Sequence, residues 1–229
     1  MPRRARIAPG ELVYHTLNRA NGRAELFSKL EDYLAFERIM VAAMHRFPIR
    51  LLAYCLMPNH WHMVLWPRKD DELTAFLRWL TLTHSQRLHA HRHTTGYGHI
   101  YQGRFKSFPI EQDQSLLNVL RYVERNALRA NLVEQAQDWR WCSLWRTLNG
   151  DRESLLSAWP LDRPENWVDW VNRTQTDNEV AALRRCVNRG TRYGSENWKN
   201  QIAATLGLKY TLQPRGRPRK VVGLTNTQT

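Results

Sequence analysis

Residues 50–66 read RLLAYCLMPNHWHMVLW, two runs of strand-forming residues joined by a short turn. Arg50–Leu56 is apolar and rich in strand formers, and Met57-Pro58-Asn59 supplies the turn. The run HWHMVLW returns as the partner strand, so the stretch predicts a β-hairpin. Because side chains alternate along a strand, His60 and His62 share one face, about 6 to 7 Å apart along the chain.

The segments around this hairpin extend the pattern. Periodicity predicts a strand at 11–19, a helix at 28–47, a helix at 71–89, a strand at 100–110 and a helix from 113. Ser28-Lys29-Leu30-Glu31 has the form of a capping box that opens the first helix. The order β-α-β-β-α-β-α predicts an α+β, ferredoxin-like (split βαβ) fold. Its antiparallel sheet would carry helices on one face and leave the other face free for a ligand.

The character of the chain changes after Asn149. Residues 150–166 are rich in prolines and charges and predict a linker, whereas 177–208 predicts two short helices. The first helix ends at Gly190, and the second has Ser195 as N-cap and Gly207 as C-cap. We therefore divide the chain into a domain at 1–149, a linker and helical extension at 150–212, and a basic tail at 213–229. The helix pair is either a DNA-binding pair or a packed appendage.

The composition favours a polyanionic partner. The formal net charge is +13 and the pI about 10.2, and the excess comes from 28 arginines against six lysines. Arginine binds phosphate through planar, bidentate contacts, so nucleic acid is the expected partner, with a merely soluble basic protein as the alternative. The three cysteines are widely spaced, and the chain has no apolar run that predicts a signal peptide or a membrane span. These features predict a cytoplasmic protein without membrane contact.

Two groups of side chains could carry chemistry. His60 and His62 could converge on one metal ion, or they could be hydrogen-bonded structural histidines. In the helix from 113, Tyr122, Asn126 and Arg129 follow one another along one edge. Tyr122 lies about 120° from the centre of the apolar stripe, so it is not a clear core position. It could be a nucleophile assisted by a metal or a base, or a partly exposed amphipathic tyrosine.

Three motifs carry a resemblance to a known family: PNHWH at 58–62, YQGRFKS at 101–107 and RYVERNALRANLV at 121–133. Together they resemble the single-tyrosine HUH transposases, most of all their REP-associated tyrosine transposase (RAYT) branch in bacteria. The resemblance makes 1–149 the catalytic domain and Tyr122 the nucleophile. It implies a divalent ion, Mg²⁺ or Mn²⁺, held by His60, His62 and Asn126. The family often has proline after that asparagine, whereas this chain has Ala127.

The resemblance also implies an activity and a substrate. The expected enzyme is a metal-dependent single-stranded DNA endonuclease and strand transferase that acts on hairpins of repeated extragenic palindromes. It would form a 5′-phosphotyrosine. A monomer is expected in preference to a dimer, in the bacterial cytoplasm and in association with the nucleoid. The alternatives are a DNA-hairpin-binding protein with little or no catalysis and a replication-initiator-like relaxase.

Basic side chains near these motifs are candidates for DNA contacts. The candidates on or beside the strands and the motif helix are Arg19, Arg104, Lys106 and Arg129. In the tail, Pro214–Pro218 reads PRGRP, the form of an AT-hook core in which Arg215 and Arg217 would enter a narrow minor groove. The tail could instead bind phosphates without sequence preference or lie across the catalytic cleft. Trp61, Tyr101 and Phe105 could stack on bases or pack in the core.

Overall fold

The hairpin at 50–66 forms the edge of a four-stranded antiparallel sheet in the computed structural model, which describes residues 8–151 and 154–206. Its strands are β1 (Val13–Arg19), β2 (Arg50–Met57), β3 (His60–Trp66) and β4 (Lys106–Ile110). They lie in the order β2-β3-β1-β4, and every pair of neighbours is antiparallel. The predicted ferredoxin-like, α+β fold is confirmed.

The helices connect and follow these strands. Within the described residues they are α1 (Leu30–Arg46), α2 (Glu72–Arg92), α3 (Gln114–Glu124), α4 (Asn126–Arg129), α5 (Ser143–Asn149), α6 (Trp167–Asn172), α7 (Asp177–Arg189) and α8 (Glu196–Thr205). Short 3₁₀ turns occupy Asn21–Arg23 and Ala136–Asp138. No helix in the described part of the chain is long and apolar enough to cross a membrane.

The first face of the sheet packs against α1 and α2. Phe36 and Ile39 of α1 and Phe76 of α2 meet strand residues such as Trp61 and Met63 in one buried apolar cluster. Burial of each such side chain stabilises the fold by roughly 1.5–3 kcal/mol. Trp61 and Tyr101 are core residues of this cluster, and the Trp61 Nε1–H donates to the Tyr101 hydroxyl at 3.2 Å. This packing answers the question of base stacking for both rings in favour of the core.

The second face is not free, which corrects one expectation. The apolar stripe of α3, which includes Leu116 and Val119, packs against Val64 and Phe108 of the sheet in a second buried cluster. These strand residues are apolar, so leaving them open to solvent would cost more than covering them with a helix. Toward the Arg19 end of β1 this face borders a cleft that is lined by Leu17, Arg19, His60 and His62.

Several boundaries differ from the prediction. The expected capping box does not form: the N-cap of α1 is Lys29, and Ser28 uses its backbone N–H and hydroxyl to donate to Asp32 Oδ2. Strand β4 begins at Lys106 rather than at 100, because residues 102–104 bend away after Tyr101 forms an isolated bridge to Ala20. Helix α2 continues to Arg92, beyond the predicted end at residue 89.

The C-terminal extension contains the two predicted helices and one that was missed. Gly190 ends α7 in the left-handed conformation, and the Ser195 side chain caps α8 by accepting from Trp198 N–H. The missed helix, α6, is only six residues long, and its Trp- and Val-rich sequence has no side-chain cap. Gly207, Arg215 and Arg217 lie outside the described residues. The division of the chain at residues 149 and 212 stays a prediction.

The extension packs on the sheet through shared core and backbone contacts. Trp167 and Leu183 are buried in the second apolar cluster together with residues of α3. Tyr193 lies beside β4: its N–H donates to Pro109 O at 3.0 Å, and its carbonyl accepts from Glu111 N–H at 2.9 Å. These bonds fix the end of α7 next to the edge strand β4.

Candidate active site

The two motif histidines occupy one face of β3, as their spacing predicts. Their ring centroids are 5.0 Å apart. His60 Nδ1 donates to Asn59 Oδ1 at 2.6 Å, and His62 Nδ1 is 2.8 Å from His15 Nε2. Since Nδ1 is engaged in both rings, Nε2 is the nitrogen that each ring has left for a ligand.

His15 is a member of this group that the sequence reasoning missed. It lies on β1 opposite Val64, one diagonal step from His62, and its ring is fully buried against Phe108. Its Nδ1 has no hydrogen-bond partner among the described residues. Strand alternation puts His15 on one face of β1, but the pairing register that brings it to His62 is not visible in the sequence.

Tyr122 lies directly beside these rings. Its ring meets His62 edge-on at 5.9 Å and His15 at 6.1 Å between centroids. The expectation that Tyr122 lies off the core is wrong in one respect, because its side chain is only 4% exposed. The ring belongs to the second apolar cluster and also lies against the imidazoles of His15 and His62.

Asn126 and Arg129 lie on α4, which a turn at Arg125 separates from α3, whereas the sequence predicted one continuous helix. The Arg129 guanidinium carbon lies 4.2 Å from the centroid of the Tyr122 ring. Arg129 Nη2 also donates to Asn126 Oδ1 at 2.7 Å. Asn126 is 2% exposed, and its Nδ2 lacks a hydrogen-bond partner among the described residues. Arg129 therefore joins the amide of Asn126 to the phenol ring.

The electrostatic surroundings keep the three histidines neutral near pH 7. Burial, with Arg19 and Arg129 nearby, lowers the pKa of His60 to about 4. Burial and the Arg129 charge lower the pKa of His15 to about 3. The pKa of His62 falls well below its ordinary value, mainly through burial and then through His60 and His15. Neutral imidazole is the form that binds metal ions.

His60, His62, Tyr122 and Arg129 line a cleft of about 660 Å³ at the open end of the sheet. Its basic lining residues are Arg19, Arg104, Lys106, Arg129, Arg184 and Arg189. No carboxylate side chain lines this cleft within residues 8–151 and 154–206. The four strand and motif-helix candidates for DNA contacts are thus brought together, whereas Arg184 and Arg189 of α7 were missed. A shallower depression of about 440 Å³ adjoins it and shares Arg19 and His60.

The donor set fits a divalent ion only in part. In the described residues, no three His, Cys, Asp or Glu side chains form a metal-binding group. The nitrogens left for a ligand are His60 Nε2 and His62 Nε2, and both rings line the cleft. Asn126 does not line it, and its carbonyl oxygen is taken by Arg129. To act as a third metal ligand, Asn126 would have to give up its hydrogen bond from Arg129.

Comparisons with known proteins show the family and support the fold. The family model for IS200-like transposases matches residues 10–126, slightly more than half of the chain. A Haemophilus influenzae protein assigned as a REP-associated tyrosine transposase is 26% identical over 133 residues, which cover 54% of this chain and 76% of that protein. A solved structure of a REP-associated tyrosine transposase bound to a REP hairpin superposes with a TM-score of 0.52. It is 19% identical and covers 72% of this chain and 95% of that chain, so the likeness supports the fold.

Proposed function

This chain belongs to the IS200-like transposase family, and on that premise we propose that it cuts and transfers single-stranded DNA at REP-type hairpins through Tyr122. One observation carries the proposal. Tyr122, whose side chain is just 4% exposed, lines a basic cleft. The centroid of its ring lies 5.9 Å from that of the His62 ring. A potential nucleophile, two neutral imidazoles and several phosphate-binding cations therefore converge on one place.

The proposed reaction is a transesterification at phosphorus. Tyr122 Oη loses its proton and forms a bond to the scissile phosphorus, while the bond from phosphorus to the 3′-oxygen breaks. The leaving 3′-oxygen takes up a proton, which gives a 5′-phosphotyrosine and a free 3′-hydroxyl. Attack by another 3′-hydroxyl reverses these changes, joins the strands and restores Tyr122. The energy of the broken bond is kept in the phosphotyrosine, so no nucleotide cofactor is required.

His60 and His62 would hold Mg²⁺ or Mn²⁺ through their Nε2 atoms, and Asn126 would complete the set through its side-chain oxygen. When bound, the ion supplies Lewis-acid polarisation of a phosphate oxygen. The chain itself supplies Arg19 and Arg129 beside the same place, where their charges offset that of the phosphate. Breaking the hydrogen bond between Arg129 and Asn126 would also leave the Arg129 guanidinium able to bind a substrate phosphate.

A second candidate function is binding of DNA hairpins with little or no catalysis. The contact between Arg129 and Asn126 favours it, because the third ligand is engaged elsewhere in this structure. The six cations of the cleft would bind DNA whether or not a metal is held.

The deciding experiment detects the covalent intermediate. A labelled hairpin oligonucleotide with a single-stranded flank is incubated with the full-length protein, with and without Mn²⁺, and resolved on a denaturing gel. The wild type should form an adduct that depends on Mn²⁺. Tyr122→Phe should form none, whereas the matched control Tyr97→Phe, which changes an 85%-exposed tyrosine, should behave as wild type.

Three outcomes would each contradict part of this proposal. Absence of adduct for the wild type across varied hairpins, with binding intact, leaves the hairpin-binding function. Adduct formation by Tyr122→Phe at the wild-type level removes Tyr122 from the chemistry. Replacing His60 and His62 together by alanine should abolish cleavage and spare hairpin binding, and loss of the circular dichroism spectrum would assign both residues to the fold.

A further inference from the structure

Helix α7 of the C-terminal extension forms one side of the cleft. The cleft-lining residues that it supplies are Arg184, Val187, Asn188 and Arg189. Residues three and four apart share one face of a helix, so Arg184 and Asn188 lie together on it. Asn188 also contacts β4, because its Oδ1 accepts from Lys106 Nζ at 3.5 Å. The extension therefore reaches the place where Tyr122 lies.

The position of α7 is fixed at both ends and along its buried side. A capping box joins Thr176 and Glu179 at its start, and Gly190 closes its end. Leu183 and Cys186 are buried in the second apolar cluster. The cleft-lining arginines are thus carried by a packed helix, which lowers the entropy cost of binding through them.

Among the described residues, the two arginines that α7 adds to the cleft have no ion-pair partner. These two residues, Arg184 and Arg189, are both exposed. Four further cations line the cleft, and no carboxylate lines it within 8–151 and 154–206. Such uncompensated positive charge in a concave surface attracts a polyanion.

We propose that α7 binds the single-stranded flank of the substrate, with Arg184 and Arg189 holding backbone phosphates next to the scissile one. This inference rests on the proposed function, which brings the scissile phosphate to Tyr122. Nucleotides adjoining that phosphate must run through the same cleft, and α7 forms one of its walls. A positively charged groove that follows the backbone is the usual means of binding single strands.

The cleft-lining side chains of α7 also predict that this helix does not recognise base sequence. Arginine gives bidentate contacts to phosphate, and α7 adds no aromatic ring to the cleft on which a base could stack. The contribution of α7 to affinity is therefore the same for flanks of different sequence. Sequence recognition belongs to other parts of the site.

The test compares two double variants with the same loss of charge. Arg184→Gln with Arg189→Gln removes the two cations that α7 adds to the cleft. Arg78→Gln with Arg87→Gln removes two exposed arginines of α2, which covers the opposite face of the sheet. Binding of the full-length proteins to one hairpin, with and without a single-stranded flank, is measured without divalent metal so that no cleavage occurs.

The α7 pair should weaken binding of the flanked hairpin by about tenfold or more at low salt. Two lost phosphate contacts should also reduce the slope of log K against log salt by about 1.4. For the α7 pair, affinity for the bare hairpin should stay within about twofold of wild type. For the α2 pair, affinity for both the bare and the flanked hairpin should equal that of wild type. The loss should be equal for flanks of different sequence.

Equal losses for the two double variants would reduce the effect to net charge and overturn the inference. Equal losses with and without the flank would assign α7 to the hairpin and overturn it as well. A photo-crosslinker at position 188 provides an independent measurement: it should label flank nucleotides, and labelling of hairpin nucleotides alone contradicts the inference. In wild type, absence of the Tyr122 adduct would reject the proposed function, whereas this flank comparison is read from binding and needs no cleavage.

Discussion

Replacement of His15 tests whether a residue outside the metal ligands sets the strength of metal binding. For His62 to offer Nε2 to an ion, its proton must sit on Nδ1 and be donated to His15 Nε2 at 2.8 Å. His15→Leu removes this acceptor and leaves the Nδ1–H of the 4%-exposed His62 without a partner. A buried donor left unpaired costs about 1–3 kcal/mol, which corresponds to a loss of roughly 10- to 100-fold in metal affinity.

The assay is titration of the full-length protein with Mn²⁺, followed by the electron paramagnetic resonance signal of the free ion. His15→Gln restores an acceptor near the position of Nε2 and should recover most of the affinity. His84→Leu is the matched control, because it removes a buried histidine whose Nδ1 is 2.7 Å from the Tyr101 hydroxyl, away from the histidine pair. A folded His15→Leu protein that binds Mn²⁺ as tightly as wild type would refute the argument.

Three further predictions concern stability. Burial, and then the Arg92 charge, lower the pKa of His84 to about 3, so its contribution is complete above the unfolded pKa of about 6.5 and declines as the pH falls toward 3. The contribution of His84 to the free energy of unfolding, measured with urea, should fall by about 2 kcal/mol between about pH 7.5 and pH 5. The free energy of unfolding of His84→Leu should fall less over the same range. Glu124→Ala should cost about 2–4 kcal/mol, measured by thermal melting, because Ser143 Oγ and Trp167 Nε1 both donate to this fully buried carboxylate. Arg121→Met should raise amide hydrogen exchange in α6, since it removes donors to backbone carbonyls at 170 and 173; unchanged exchange would contradict this anchoring role.

Local patterns predicted the strands well where one face had to be buried. The alternation in HWHMVLW gives β3 its observed bounds, His60–Trp66, and puts both histidines on one face. The same periodic reasoning placed Asn126 and Arg129 on the edge of Tyr122, where Arg129 contacts both. These features depend on neighbours within a few residues, which a sequence displays directly.

Features that depend on distant partners could not be predicted in the same way. The group around His62 includes His15 because of the register between β1 and β3, which no local pattern fixes. Tyr122 is buried because α3 packs on the sheet, where its ring joins the second apolar cluster and lies beside His15 and His62. Ser28 could either form the predicted capping box or donate hydrogen bonds to Asp32. In the structure it donates to the Asp32 carboxylate.

The same limit applies to the C-terminal extension. Caps and apolar spacing predicted α7 and α8, but not the contacts that hold them. Tyr193 pairs with the backbone of β4, more than 80 residues earlier, and this pairing brings α7 to the cleft. The arginines at 184 and 189 reach the cleft through this distant pairing, so they were not among the predicted DNA contacts.

The placement of Tyr122 beside His62 has a consequence for mixed populations of molecules. Both residues belong to elements that share one core, so each folded chain brings its own tyrosine to its own histidine pair. Under the proposed function, each copy would carry both the tyrosine and the histidine pair, so activity per molecule should not depend on dilution. A copy with a defective tyrosine would then be inactive itself and leave intact copies active.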